Sequence, residues 1–175
     1  MLIKIAIALV VVIALVLIYA ATRPDTFRVE RSAVMNAAPE KVFAQINDLH
    51  NWAAWSAWEK KDANMKKTFS GAASGKGAIY GWEGNNNVGK GSMTITESLP
   101  ATKVQIKLDF IAPFEGHNMA DIVLQPEGNG TRVVWSMYGT MAFIPKVMGL
   151  FFSMDKMIGK DFEDSLASLK QVVEK

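Results

Sequence analysis

The chain opens on an unbroken apolar run. From Ile5 to Ala21 there are 17 consecutive uncharged residues, about the minimum that spans a hydrocarbon core at roughly 1.5 Å per residue. Leu2 and Ile3 extend the run past Lys4, Tyr19 stands at its far end, and Arg23 and Pro24 close it. The pattern predicts a transmembrane anchor over residues 1–22. A secretory signal peptide shares the charged start, apolar middle and small-residue exit, but cleavage after Ala20 would place Ile18 at the upstream small position. Cleavage after Ala21 would place Tyr19 there. The run also exceeds the usual signal core of about 7 to 15 residues, so an uncleaved anchor is the preferred reading.

Beyond residue 25 the period shortens to two. Thr26 to Met35 reads as a first strand, and Pro39 with Glu40 then supplies the first turn of a helix carrying Val42, Phe43 and Ile46. Asp48 is placed to cap a second short helix bearing His50, Trp52 and Trp55. Six further strands are predicted: Lys66 to Ser70, Lys76 to Glu83, Gly89 to Ser98, Thr102 to Phe110, Asn118 to Gln125 and Thr131 to Met141. The separators are turn-formers such as Gly84-Asn85-Asn86-Asn87 and Glu127-Gly128-Asn129-Gly130, which argue for antiparallel hairpins. In the fourth of these strands, Val104, Ile106, Leu108 and Phe110 alternate with Lys103, Gln105, Lys107 and Asp109, so one face of the sheet is wet.

After Pro145 the period becomes helical. Met154, Ile158, Phe162, Leu166, Leu169 and Val173 recur every three or four residues, with Lys156, Lys160, Glu163, Asp164 and Lys170 opposite. The apolar stripe must lie across the dry face of the sheet. The expected body, residues 23–175, is therefore a single α+β domain: a curved antiparallel sheet wrapped around one long C-terminal helix.

Composition removes several function classes. Lys and Arg total 19 against 17 Asp and Glu, with no basic run to track a phosphate backbone, so nucleic acid is excluded as a partner. The absence of Cys excludes disulfides, thiolate metal sites and a Cys nucleophile. Gly75-Lys76-Gly77 and Gly89-Lys90-Gly91 lack the spacing of a phosphate loop and read as turns before strands. Asn129-Gly130-Thr131 fits a glycosylation sequon but sits where a hairpin needs Asn-Gly. Arg31 is the odd residue of the first strand, because alternation from Phe27 and Val29 carries it to the apolar face. A bulge turning it outward is the expected account; pointing inward, it would need a carboxylate such as Glu83, Glu97 or Glu115.

The strand, then Ala38-Pro39-Glu40-Lys41-Val42-Phe43, then Asp48-Leu49-His50-Asn51-Trp52-Ala53-Ala54-Trp55-Ser56-Ala57-Trp58, resembles the opening of the SRPBCC superfamily. This helix-grip group includes START lipid-transfer domains, pollen-allergen-like proteins and polyketide cyclase/dehydrase-type proteins. Gly77-Ala78-Ile79-Tyr80-Gly81-Trp82-Glu83-Gly84-Asn85, Gly91-Ser92-Met93-Thr94-Ile95-Thr96-Glu97-Ser98, Pro113-Phe114-Glu115-Gly116 and Gly130-Thr131-Arg132-Val133-Val134-Trp135 are similar to its bacterial polyketide-cyclase-like branch. The resemblance covers about Thr26 to Lys175 and not the anchor.

It implies an apolar cavity between sheet and long helix, able to hold a lipid, sterol or polyketide. By alternation the walls would come from Tyr80 and Trp82, from Met93 and Ile95, and from Ile106, Leu108 and Phe110. Val133, Trp135 and Met137 would follow on the last strand, with Met154, Ile158 and Phe162 on the helix. The ten Met residues suit an adaptable lining, although the same large side chains can fill the interior as a solid core. Trp52, Trp55 and Trp58 serve either as packing for the short helices or as a cavity rim.

Only two His are present, and His50 reads as a helix-surface residue. Glu115 and His117 are the candidate acid–base pair at the cavity mouth, where burial would raise a carboxylic acid toward neutrality. No third ligand stands near them, so neither a metal nor a cofactor is expected. The leading expectation is a membrane-tethered, non-enzymatic binding domain for a hydrophobic small molecule or lipid, in a bacterial inner membrane with its body outside the cytoplasm. A cyclase, dehydratase or hydrolase and a ligand-free envelope interaction platform are the alternatives.

Overall fold

The computed structural model describes residues 1–175. The apolar run forms helix α1 (Leu2–Ala21), long and apolar enough to cross a membrane and almost wholly uncovered by the rest of the chain. Strand β1 (Thr26–Met35) follows, then helix α2 (Pro39–Asn47), which has Pro39 and Glu40 in its first turn. Two short 3-10 helices, Leu49–Ala54 and Ala57–Lys60, stand where the sequence predicts one short helix. Asp48 caps the first by accepting from the His50 backbone N–H at 2.9 Å.

Six strands then form in sequence order: β2 (Lys66–Gly71), β3 (Ala78–Glu83), β4 (Lys90–Leu99), β5 (Lys103–Ala112), β6 (Gly116–Glu127) and β7 (Gly130–Thr140). All pair antiparallel in the order β1-β7-β6-β5-β4-β3-β2, so only the β1–β7 pairing joins strands distant in sequence. Gly89 shows why the glycines before the strands belong to turns. Its φ is +65°, and a β-carbon there would overlap the Ala112 carbonyl oxygen. Two register shifts in β4, at Lys90/Gly91 and Ile95/Glu97, bend the sheet. A short helix absent from the sequence reading, α3 (Phe143–Met148), precedes α4 (Met154–Val173). Ser153 caps α4 by accepting from Lys156 N–H at 3.2 Å.

The apolar stripe of α4 lies in the concave side of the sheet, where Phe162, Leu166, Leu169 and Val173 are buried. The opposite face of the sheet is a polar lattice, with Tyr138 and Gln105 both donating to Asp121.

Arg31 corrects the expectation of a bulge. The β1–β7 register runs unbroken from Thr26↔Thr140 to Met35↔Thr131, and Arg31 faces Trp135 on the concave side. Its partners are not Glu83, Glu97 or Glu115 but two carboxylates of α4. Nε donates to Glu163 at 2.7 Å, and the two terminal nitrogens each reach an Asp155 carboxylate oxygen at 3.0 Å. Asp155, Gly159 and Glu163 share one helix face at i, i+4 and i+8, and the guanidinium lies over Gly159 in space that a β-carbon would occupy. The bidentate pairing favours charge on both partners, holding the Asp155 carboxyl below its ordinary value and Arg31 above its own.

The burial of α4 predicts that Phe162→Ala and Leu166→Ala each destabilise the fold by about 2 to 5 kcal/mol in urea unfolding. A cost below about 0.5 kcal/mol at both, the scale of a surface site, would refute this packing.

Candidate functional site

The interior is divided along the axis of α4. At one end Ile95, Val104, Ile122, Leu124 and Val133 close on Leu166, Leu169 and Val173 as a solid core. At the other end a hollow of about 380 Å³ remains, within the range of small-molecule sites. Side-chain size accounts for the division. Small Ala120 stands between Ile106 on β5 and Met137 on β7, whereas the next inward residue of β6, Ile122, stands between Val104 and Trp135.

Ten of the expected wall residues line the hollow: Tyr80, Trp82, Met93, Ile106, Leu108, Phe110, Trp135, Met137, Ile158 and Phe162. Three do not. Ile95 and Val133 are fully buried in the solid end, and Met154 is half-buried in the first turn of α4, a full turn before Ile158. Periodicity identifies the face of a residue but not its height along the strand or helix, so it could not separate these three.

Trp52 and Trp58 add to the wall, while Trp55 is fully buried beside it. Trp52 and Trp55 donate their indole N–H groups to the Ile46 and Gln45 carbonyls at 3.0 and 3.3 Å, fastening the 3-10 segment to α2. The packing and rim roles are thus divided within one cluster. Trp135 stacks on Phe162 with ring centroids 4.3 Å apart, and its buried Nε1–H has no acceptor within the protein.

The polar groups of the cavity come from residues that the sequence did not single out. Glu59 and Asp161 both line it, together with Ser56, Asn86 and Asn87. Glu59 accepts from the Tyr80 hydroxyl at 2.8 Å and pairs with Lys67. Asp161 pairs with Lys61 at 2.6 Å. Burial, followed by the adjacent Glu59 carboxylate, pushes the Tyr80 phenol far above its ordinary value. Tyr80 is consequently a weak acid, and Glu59 is already engaged on both oxygens. The loop between β3 and β4 forms a lip, held where Trp82 Nε1 donates to the Val88 carbonyl at 3.0 Å and Asn85 N–H donates to Asp62 at 2.7 Å.

Glu115 and His117 lie outside the cavity. His117 projects from the opposite face of the sheet, where its Nδ1 is 2.7 Å from Asp109 Oδ1 and its Nε2 is 3.5 Å from Glu115 Oε1. Both side chains are exposed, so neither meets the burial required of a cavity acid. The register explains the error: His117 pairs with Asp109, already a member of the wet row of β5. The Glu59–Tyr80 contact, in contrast, spans 21 residues and left no local signal.

A sheet gripping a long helix, hollow at one end and apolar within, defines a helix-grip ligand-binding or polyketide cyclase-like domain. The chain belongs to the family described as "Polyketide cyclase / dehydrase and lipid transport", whose sequence pattern matches residues 26–174, and through it to the SRPBCC superfamily. None of the curated proteins matches the sequence. Among solved structures, protein CV1439 from Chromobacterium violaceum is 20% identical with a TM-score of 0.61, covering 87% of this chain and 99% of its own. Ara h 8.0201 is 9% identical with a TM-score of 0.58, over 85% and 97%. The di-domain ARO/CYC BexL from the BE-7585A biosynthetic pathway is 11% identical with a TM-score of 0.61, over 90% of this chain and 53% of its own. These likenesses establish the helix-grip fold.

Because Tyr80 is held neutral in the folded state, its contribution to stability is complete below the ordinary phenol value of about 10 and declines as the pH rises above it. Tyr80→Phe should therefore lose less stability than the wild type between about pH 9 and pH 11, read from urea midpoints. Identical losses would show that Tyr80 titrates as it does in water.

Proposed function

We propose that this protein is a membrane-tethered binding protein for a hydrophobic small molecule or lipid with a polar end. The observation that carries this reading is the hollow itself, lined mostly by hydrocarbon and aromatic side chains, with the carboxylates Glu59 and Asp161 and the Tyr80 hydroxyl among its few polar groups. Such a site takes an amphiphile with its body against Met93, Ile106, Ala120 and Met137 and its head toward the Glu59 side. A head group that donates hydrogen bonds matches the two carboxylates.

Binding rather than catalysis is supported by the state of those groups. Glu59 is engaged by Tyr80 and Lys67 and Asp161 by Lys61, so no free base or activated nucleophile faces the hollow. Residues 1–22 serve as the anchor and residues 23–175 as the binding domain. The anchor reading is supported by the length and apolarity of α1 and by its lack of cover. A single pass through a bacterial inner membrane with the body on the outer side is the arrangement adopted. A cyclase-like reaction is the second reading, favoured by the family description, and it would have to use Glu59 rather than Glu115 or His117.

Four of the five tryptophans line the hollow, so ligand entry should change the intrinsic fluorescence and show a negative heat-capacity change. Ala120→Leu, which fills the floor, should weaken binding of lipids and polyketide-like compounds by about tenfold or more, equivalent to about 1.4 kcal/mol. Glu115→Gln and His117→Ala should leave binding unchanged. Native mass spectrometry of the protein from its own membrane identifies the bound class. A chemically altered product lost on Glu59→Gln would replace this reading with the enzymatic one, and unaltered binding by Ala120→Leu would place the ligand elsewhere.

Full-length protein should also stay with the membrane fraction through a carbonate wash. Release into the wash, or a mature chain lacking residues 1–20, would refute the anchor.

A further inference from the structure

Helix α1 is covered at one place only. Along its length Ala20 alone is buried and Val16 alone is half-buried, one turn apart on the same face, and the element packed against α1 is α3. Two further contacts hold α3 at this position. Lys146, on α3 and 93% buried, pairs with Asp25 just beyond α1, and Met141 N–H donates to the Asp25 carbonyl at 2.7 Å. The α3 segment is thus fastened to the point where α1 meets the body.

This same segment carries large apolar side chains that nothing covers. Phe143, Ile144 and Met148 on α3, Phe151 and Phe152 after it, and Met157 in the first turn of α4 are all exposed, Ile144 at 64% and Phe151 at 70%. Of the charged residues in the segment, Lys146 is occupied by Asp25 and Asp155 by Arg31, which leaves Lys156 as one exposed positive charge at its edge. An exposed cluster of this kind marks an interaction surface.

We propose that residues 143–157 lie in the lipid–water interface beside the span, so that the body docks onto the bilayer rather than hanging from it. The inference rests on the reading of α1 as an anchor. The occupant follows from continuity with that helix: the patch begins where the span emerges. Val16 lies five residues before the end of α1, about 7.5 Å along the axis, and a helix packed there sits at the depth of about 5 to 10 Å reached by interfacial helices. Docking also gives the cavity a route to the bilayer. Met157 closes the apolar patch, and the next residue, Ile158, is the first of α4 to line the hollow. A bilayer amphiphile would then have a short way from the docked segment to the site.

The chain has no native Cys, so single Cys substitutions can be labelled specifically. Full-length Ile144→Cys, Phe151→Cys, Leu9→Cys and Asn129→Cys variants would carry an environment-sensitive fluorophore in phosphatidylcholine–phosphatidylglycerol vesicles. They would be tested with nitroxide lipids and with an aqueous quencher. Leu9 lies mid-span, and Asn129 lies in the turn at the far end of β7 from the patch. The labels at Ile144→Cys and Phe151→Cys should be quenched by shallow nitroxide lipids several-fold more than the label at Asn129→Cys, and protected from the aqueous quencher. Labels there as wet as at Asn129→Cys, with Leu9→Cys in the bilayer, would overturn docking and leave the anchor intact. A wet label at Leu9→Cys would overturn the anchor and this inference with it. Protection from both quenchers at Ile144→Cys and Phe151→Cys would mean that protein, a second copy included, covers the patch, and would also overturn the proposal. The substituted side chains are exposed, and matching circular dichroism spectra would verify that each variant folds.

Discussion

The arrangement of the body depends on how α4 is seated in the sheet. Hydrophobic burial brings the helix to the concave face, but burial alone is non-directional and would tolerate rotation or sliding of the stripe. Arg31 removes that freedom. Its planar fork engages Asp155 on one turn and Glu163 two turns later, across a glycine that lets the guanidinium approach the helix. With α4 fixed in rotation and height, Phe162 stacks on Trp135 and Ile158 meets the hollow. The single arginine on the inner side of β1 therefore links the solid half of the interior to the hollow half.

The hollow exists because the inner rows of the sheet taper. Ala120 leaves room that Ile122 and Leu124 do not, and the aromatic cluster of Trp52, Trp58, Trp135 and Phe162 forms a rigid end wall that cannot collapse into it. Electrostatics at its edge follow from the same geometry. A carboxylate beside apolar walls is tolerated only when paired, and Glu59 has Lys67 and Tyr80 while Asp161 has Lys61. These pairings leave both carboxylates occupied, an arrangement suited to orienting a polar group rather than transferring protons.

A shared fold leaves the ligand open, since related frameworks host different chemistry by changing the residues of the cavity. Here the distinctive features are the tryptophan-rich wall, the paired carboxylates on one side and the apolar α3 segment leading toward α1. Under the proposed anchoring, these features describe one path, from the bilayer surface along the start of α4 into a site graded from apolar to polar.

The strands, the long helices and the faces of most of their side chains are legible in the chain's periodicity; α3 and the inward orientation of Arg31 are not. Periods of two and 3.6, the Pro39 and Asp48 start signals and the Asn/Gly-rich turns place the seven strands and α4 within a few residues, because each depends on neighbours close along the chain. Membership of the helix-grip group was legible for the same reason, its motifs being turns and alternating rows. The assembled fold selects which carboxylates meet Arg31, 124 and 132 residues away. It also decided that Glu59 enters the cavity while Glu115 and His117 stay outside, and that Ile95 and Val133 fill the core where Met93 and Trp135 line a void. A side chain's face is set by backbone period, but its height in the fold and its partner are set by register and by the docking of distant elements. Those depend on the packing of the whole sheet against α4 and have no local signature.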